Sequence, residues 1–106
     1  MRYLLILPTV LAGLAQHATA ADLAAVELAK ANGCYTCHAN ADKVVGPAFS
    51  AIAEKYAGDK DAAASLAQSI QNGSKGKWGR IPMPAHPSLN AADLKTLSAW
   101  VLTVKP

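Results

Sequence analysis

Within four short stretches of the chain, apolar side chains return at intervals of three and four, the spacing of a helix that buries one face. Nowhere do apolar and polar positions alternate in the two-residue rhythm of a strand, and no segment repeats another, so the pattern predicts an all-α single domain. The first helix is expected from Asp22 to about Asn32, in a run rich in Ala, Leu, Glu and Lys, with Asp22 placed to cap it and Gly33 ending it. Gly46-Pro47 opens a second, with Pro47 near its first turn, Phe49, Ile52, Ala53 and Tyr56 on one face, and Gly58 as its stop. Residues 62–72 form a third, with Leu66 and Ile70 four apart and Gly73 closing it. Asn90 caps the last, with Asp93 three residues on; Leu94, Leu97, Val101 and Val104 make its apolar stripe, and Trp100 sits beside it.

Two segments break this pattern. Ser74 to Leu89, "SKGKWGRIPMPAHPSL", cannot be a regular helix, because Pro82, Pro84 and Pro87 interrupt it and Gly76 and Gly79 loosen it. A long loop in so small a domain usually carries function. At the other end, Arg2 precedes a 13-residue apolar run from Tyr3 to Ala15, followed by the small-residue sequence Ala18-Thr19-Ala20. That is the three-part order of a secretory leader, and the run is too short to span a bilayer. Residues 1–20 are therefore expected to be a cleaved signal peptide and residues 21–106 the mature domain, soluble in the periplasm with no stable membrane insertion.

Loss of the leader changes what composition implies. Lys plus Arg falls from 10 to 9 against 7 acidic residues, leaving a formal charge of +2, which is no nucleic-acid signature. The mature chain holds only Tyr35, Phe49, Tyr56, Trp78 and Trp100 as aromatics, and much of its apolar count is alanine, which buries little area. Its core is thin for independent stability, so another source of apolar bulk is expected.

The two cysteines and a histidine meet that expectation. Cys34-Tyr35-Thr36-Cys37-His38 is the attachment pattern for c-type haem. Thiols one helical turn apart can both add to the vinyl groups on one porphyrin edge, and the adjacent His38 offers a ring nitrogen to the iron. Other uses of the cluster fit less well. A thioredoxin-like pair belongs near a βαβ pattern that this chain lacks. A zinc site from Cys34, Cys37, His38 and His86 would ask adjacent Cys and His to reach one tetrahedral ion. A plain disulfide remains open in an exported protein. For the second face of the iron, the mature chain has one methionine, Met83, between prolines in "Ile-Pro-Met-Pro", where stiff flanks can aim a weak thioether donor.

"GCYTCH", "VGPAF", "NGSKGKWGRIPMP" and "LKTLSAWVL" together resemble the small bacterial class I cytochromes c of the cytochrome c-551/c-552 type, over essentially all of residues 21–106. The resemblance implies a class I cytochrome c fold, four or so helices wrapped around one haem c held by two thioether bonds. It implies Cys34 and Cys37 as the attachment residues, His38 as proximal and Met83 as distal ligand. The Pro47 carbonyl would accept the other ring N–H of His38, and Trp78 would donate its indole N–H to a haem propionate. The first and last helices would cross. Three positions depart from the family pattern: Ala29 stands where members often have an aromatic residue, Ser69 where some have an Arg on a propionate, and His86 where several have an Asn that steadies the methionine.

Two functions follow. With both faces closed, the iron can change oxidation state and do little else, which describes a monomeric electron carrier, not an enzyme, between redox proteins: a respiratory complex upstream and a terminal reductase or oxidase downstream. If Met83 dissociates readily, a haem enzyme or ligand sensor results, with His86 available as an acid-base group. Lys75, Lys77 and Arg80 concentrate positive charge before Met83 and either steer an acidic partner or are simply solvated. Two propionates would bring the net charge of the mature protein near zero, so long-range steering is expected to be modest.

Overall fold

Capping residues set where most of the helices begin. The computed structural model describes residues 18–106, together with Pro8 and Gly13. Helix α1 runs Ala20–Ala31, two residues earlier than expected, because Thr19 is its N-cap. The Thr19 hydroxyl accepts the Asp22 backbone N–H at 3.1 Å, and the Asp22 carboxylate accepts the Thr19 N–H at 3.1 Å. Asp22 is thus the third helical residue of a reciprocal capping box and not the cap itself. Gly33, at φ 72°, lets the chain turn directly into α2, a single turn Cys34–Cys37. Helix α3 spans Phe49–Lys55, α4 Ala62–Asn72 and α5 Ala91–Val101. Asn90 caps α5 as expected, its Oδ1 accepting the Asp93 N–H at 2.8 Å. The expected leader, residues 1–20, lies almost entirely outside the described residues.

Helix α5 is the hub: α1, α3 and α4 all pack on it, and α2 packs on α1. The all-α expectation holds, with no strand among the described residues and only two isolated bridges. The α1–α5 crossing is made close by small residues. Ala25 and Ala29 on α1 are fully buried in one cluster with Leu94, Leu97, Trp100 and Val101. Ser98 lies on the same helix with no exposure at all. Ala29, one of the three departures from the family pattern, is buried in this crossing. Phe49 and Ile52 enter the cluster from α3 and Leu66 from α4, while Ile70, Tyr56 and Val104 flank it half-buried. Trp100, beside the apolar stripe of α5, is buried in the same core.

Aromatic edges tie α2 to this core. The Phe49 ring meets Trp100 at 5.1 Å and Tyr35 at 5.7 Å, both edge to face. With few aromatics available, the chain spends three of them at one point, next to the cysteine turn.

Candidate functional site

The core is open on one side. A cavity of about 320 Å³, mostly apolar, is walled by Cys34, Cys37 and His38 on one side and by the loop around Met83 on another. Phe49, Ile52, Leu66, Ile70, Leu97 and Trp100 supply its apolar floor.

His38 is held from three directions. Its Nδ1 lies 2.7 Å from the Pro47 carbonyl oxygen, which can only accept, so Nδ1 carries the proton and the lone pair is on Nε2. Its ring stacks on Phe49 at 4.9 Å between centroids. Gly46 closes the third side so tightly that a Cβ there would sit 2.7 Å from the ring's Cε1. The backbone makes this possible: Gly46 and Val45 both donate to the Cys37 carbonyl, at 2.7 and 3.2 Å, and Phe49 and Ser50 donate to Ala39 and Asn40. In sequence Gly46 reads only as the opening of a helix. Its decisive contact is with a ring eight residues earlier, which no local pattern reveals.

Cys34 and Cys37 are both half-buried on the cavity wall. Burial pushes the Cys34 thiol above its ordinary pKa, because the thiolate is poorly solvated there. Among the described residues, no three His, Cys, Asp or Glu side chains gather as metal ligands do, which removes the zinc arrangement.

Met83 is half-buried at the cavity and is clamped to the end of α4. Ser74 and Met83 exchange both backbone bonds, at 3.1 and 2.9 Å, and the His86 N–H donates to the Ile70 carbonyl at 2.9 Å. Gly73, at φ 76°, makes the approach possible; a Cβ there would meet the Met83 carbonyl oxygen at 2.6 Å and the Ala85 nitrogen at 3.0 Å. The loop expected from the prolines is therefore ordered by a two-residue bridge as well as by its own stiffness. His86 turns toward the cavity, with its Nδ1 buried and without a protein partner.

Trp78 lines the rim, partly exposed, with the Lys55 ammonium 4.5 Å from its ring centroid. All six residues expected from the sequence, Cys34, Cys37, His38, Pro47, Trp78 and Met83, thus line one cavity. An apolar slot with an imidazole lone pair, a thioether and a thiol pair on its walls fits a flat, largely apolar metal tetrapyrrole.

Comparison with known proteins gives the same family from several sides. The cytochrome c family model matches residues 23–105. Cytochrome c-552 of Nitrosomonas europaea is 52% identical over 79 residues, covering 74% of this chain and 77% of that one. Cytochrome c-551 of Azotobacter vinelandii is 49% identical over 79 residues, covering 74% of this chain and 95% of its own. The crystal structure of wild-type Nitrosomonas europaea cytochrome c552 superposes with a TM-score of 0.73 at 51% identity, over 76% of this chain and 99% of that one.

Proposed function

The chain belongs to the cytochrome c family and is a monohaem electron-transfer protein carrying covalently bound haem c, and we propose that it is a periplasmic carrier whose iron is closed by His38 and Met83. Cys34 and Cys37 would hold the haem through the two thioether bonds, and Trp78 would offer its indole N–H to a propionate. The observation that carries the ligand assignment is the Nδ1 contact of His38 with Pro47 at 2.7 Å. It fixes the tautomer, orients the ring and raises the basicity of Nε2 toward a metal.

Bound haem supplies the one-electron couple of its iron. The protein's part is to keep both ligands still while charge changes, so that little rearrangement accompanies each transfer. His38 has the Pro47 carbonyl, the Phe49 face and the Gly46 backbone around it. Met83 has the Ser74 bridge, and its thioether favours ferrous iron and hence a relatively high potential. With both axial positions taken by His38 and Met83, the iron would have no open site for a substrate, which favours a carrier over an enzyme. Its partners are redox proteins, a respiratory complex as donor and a terminal reductase or oxidase as acceptor.

No helix among the described residues is long and apolar enough to cross a membrane. Export follows from the leader pattern, with cleavage after Ala20. That cut removes Thr19 and with it the capping box, leaving Asp22 as the acidic residue of an uncapped first turn. Mass spectrometry of protein from a host that attaches haem should find residues 21–106 plus one haem.

Met83→Ala tests the assignment. The potential should fall, since water, a lysine amine or His86 stabilises ferric iron better than a thioether does, and the ferrous protein should gain carbon monoxide binding. Rapid carbon monoxide binding by the unmodified protein would favour an enzyme or sensor, and a Met83→Ala protein with the parent's spectrum and potential would move the distal role elsewhere.

A further inference from the structure

Haem carries two carboxylates on the edge opposite the vinyl groups that thiols attack. With Cys34 and Cys37 at one wall, those carboxylates would turn toward the walls away from α2, among them α4 and the loop after it. Helix α2 packs on α1 and does not pack against α4. An ionised carboxylate brought to an apolar cavity needs a cation or donors close by. Among the described Asp, Glu, Lys and Arg side chains, only Lys77 lines this cavity.

Lys77 is also the lysine of this loop whose ammonium has a fixed address. Its Nζ donates to the Ser69 Oγ at 2.9 Å, eight residues back on α4. Two of its three N–H donors stay free, and the Ser69 hydroxyl can turn its own proton outward. Trp78 follows next in the chain, its face covered by Lys55. Ser69, Lys77 and Trp78 all line the cavity, so two hydroxyl and indole donors flank one positive charge there.

We propose that Lys77, positioned by Ser69, is the counter-ion of a haem carboxylate in this protein, acting beside the Trp78 indole and keeping that carboxylate ionised while the iron changes charge. The inference rests on haem attachment at Cys34 and Cys37. Other ionisable groups on the cavity wall are Tyr56 from the end of α3 and His86 beyond Met83, while Lys55 lies over the Trp78 ring and does not line the cavity. Helix α4 brings no charge of its own, and α5 contributes Leu97, Trp100 and Val101. Lys75 and Arg80 share the loop with Lys77 but do not line the cavity.

The sign of the effect is determined. Ferric iron favours an ionised carboxylate more than ferrous iron does, so the potential falls with rising pH where the carboxylate loses its proton. A cation within about 4–6 Å lowers a carboxyl pKa by roughly 1–3 units. Spectroelectrochemical titration of the holoprotein against pH should therefore find the inflection of Lys77→Gln at least one pH unit above the parent's, a tenfold rise in proton affinity. Lys77→Arg should restore it, and Ser69→Ala should move it part of the way. Lys75→Gln removes the same charge from the same loop and should leave the inflection in place.

Equal inflections in the parent, Lys77→Gln and Lys75→Gln would overturn the proposal. So would an inflection that vanishes in His86→Asn, because it would belong to the histidine. A parent protein without covalent haem would instead overturn the functional reading beneath it.

Discussion

If His38 and Met83 hold the iron as proposed, replacing Gly73 by Ala should release Met83 without touching either ligand. Two separate penalties arise. Gly73 sits at φ 76° and ψ 174°, a region essentially reserved for glycine, where a residue with a Cβ costs about 1–3 kcal/mol more. The new Cβ would also lie 2.6 Å from the Met83 carbonyl oxygen and 3.0 Å from the Ala85 nitrogen, both backbone atoms that move only if the loop moves. Backing away breaks the paired bonds between Ser74 and Met83, at 3.1 and 2.9 Å, each worth about 0.5–1.5 kcal/mol. The share acting on Met83 is therefore about 1–3 kcal/mol, or roughly 5- to 150-fold in the population with methionine released. Exogenous imidazole reports that population directly, since it binds ferric iron in proportion to the open fraction. Imidazole titration of ferric Gly73→Ala should show tighter binding by that factor and a weakened sulfur-to-iron charge-transfer band. Gly58→Ala is the control: Gly58 has φ 78° but nothing within 4 Å of a Cβ, so it carries the conformational penalty alone. It should lower thermal stability by about 1 kcal/mol and leave imidazole affinity unchanged. Equal imidazole affinities in the parent and Gly73→Ala, with only stability reduced, would refute the claim that the Gly73 approach holds Met83.

Gly46→Ala should raise the reduction potential, because a Cβ 2.7 Å from His38 Cε1 tilts the ring off the Pro47 carbonyl and lowers its basicity as a ligand; an unchanged or lower potential in protein-film voltammetry would contradict this. Ser98→Ala should raise the melting temperature of the holoprotein, since the Ser98 Oγ is fully buried without a partner and its desolvation costs about 1 kcal/mol or more. A lower melting point would mean the hydroxyl has a bound water or a backbone acceptor that stabilises it.

Much of the fold was legible because its signals are local. Asn90 with Asp93, the Gly73 stop and the three-four spacing of Leu94, Leu97 and Val101 each act within one or two turns, so they mark helices wherever they occur. The attachment pattern is local too, since reaching one porphyrin edge demands thiols one turn apart and a histidine directly after. Thr19 was missed because the leader pattern claimed it: a small polar residue before a cleavage point and an N-cap look alike in sequence.

What only the tertiary structure decided are the contacts between segments far apart in sequence. Gly46 against the His38 ring, Gly73 beneath the Met83 carbonyl and the Lys77 ammonium on Ser69 each join residues whose approach depends on how α3, α4 and the long loop close over α5. The sequence by itself determined which helices form and which residues can bind haem, because helix propensity, capping and ligand chemistry belong to residue types and short spacings. Whether those residues converge, how firmly each is held and which lysine reaches the cavity depend on backbone approach over several ångströms, and that is set by packing of the whole chain.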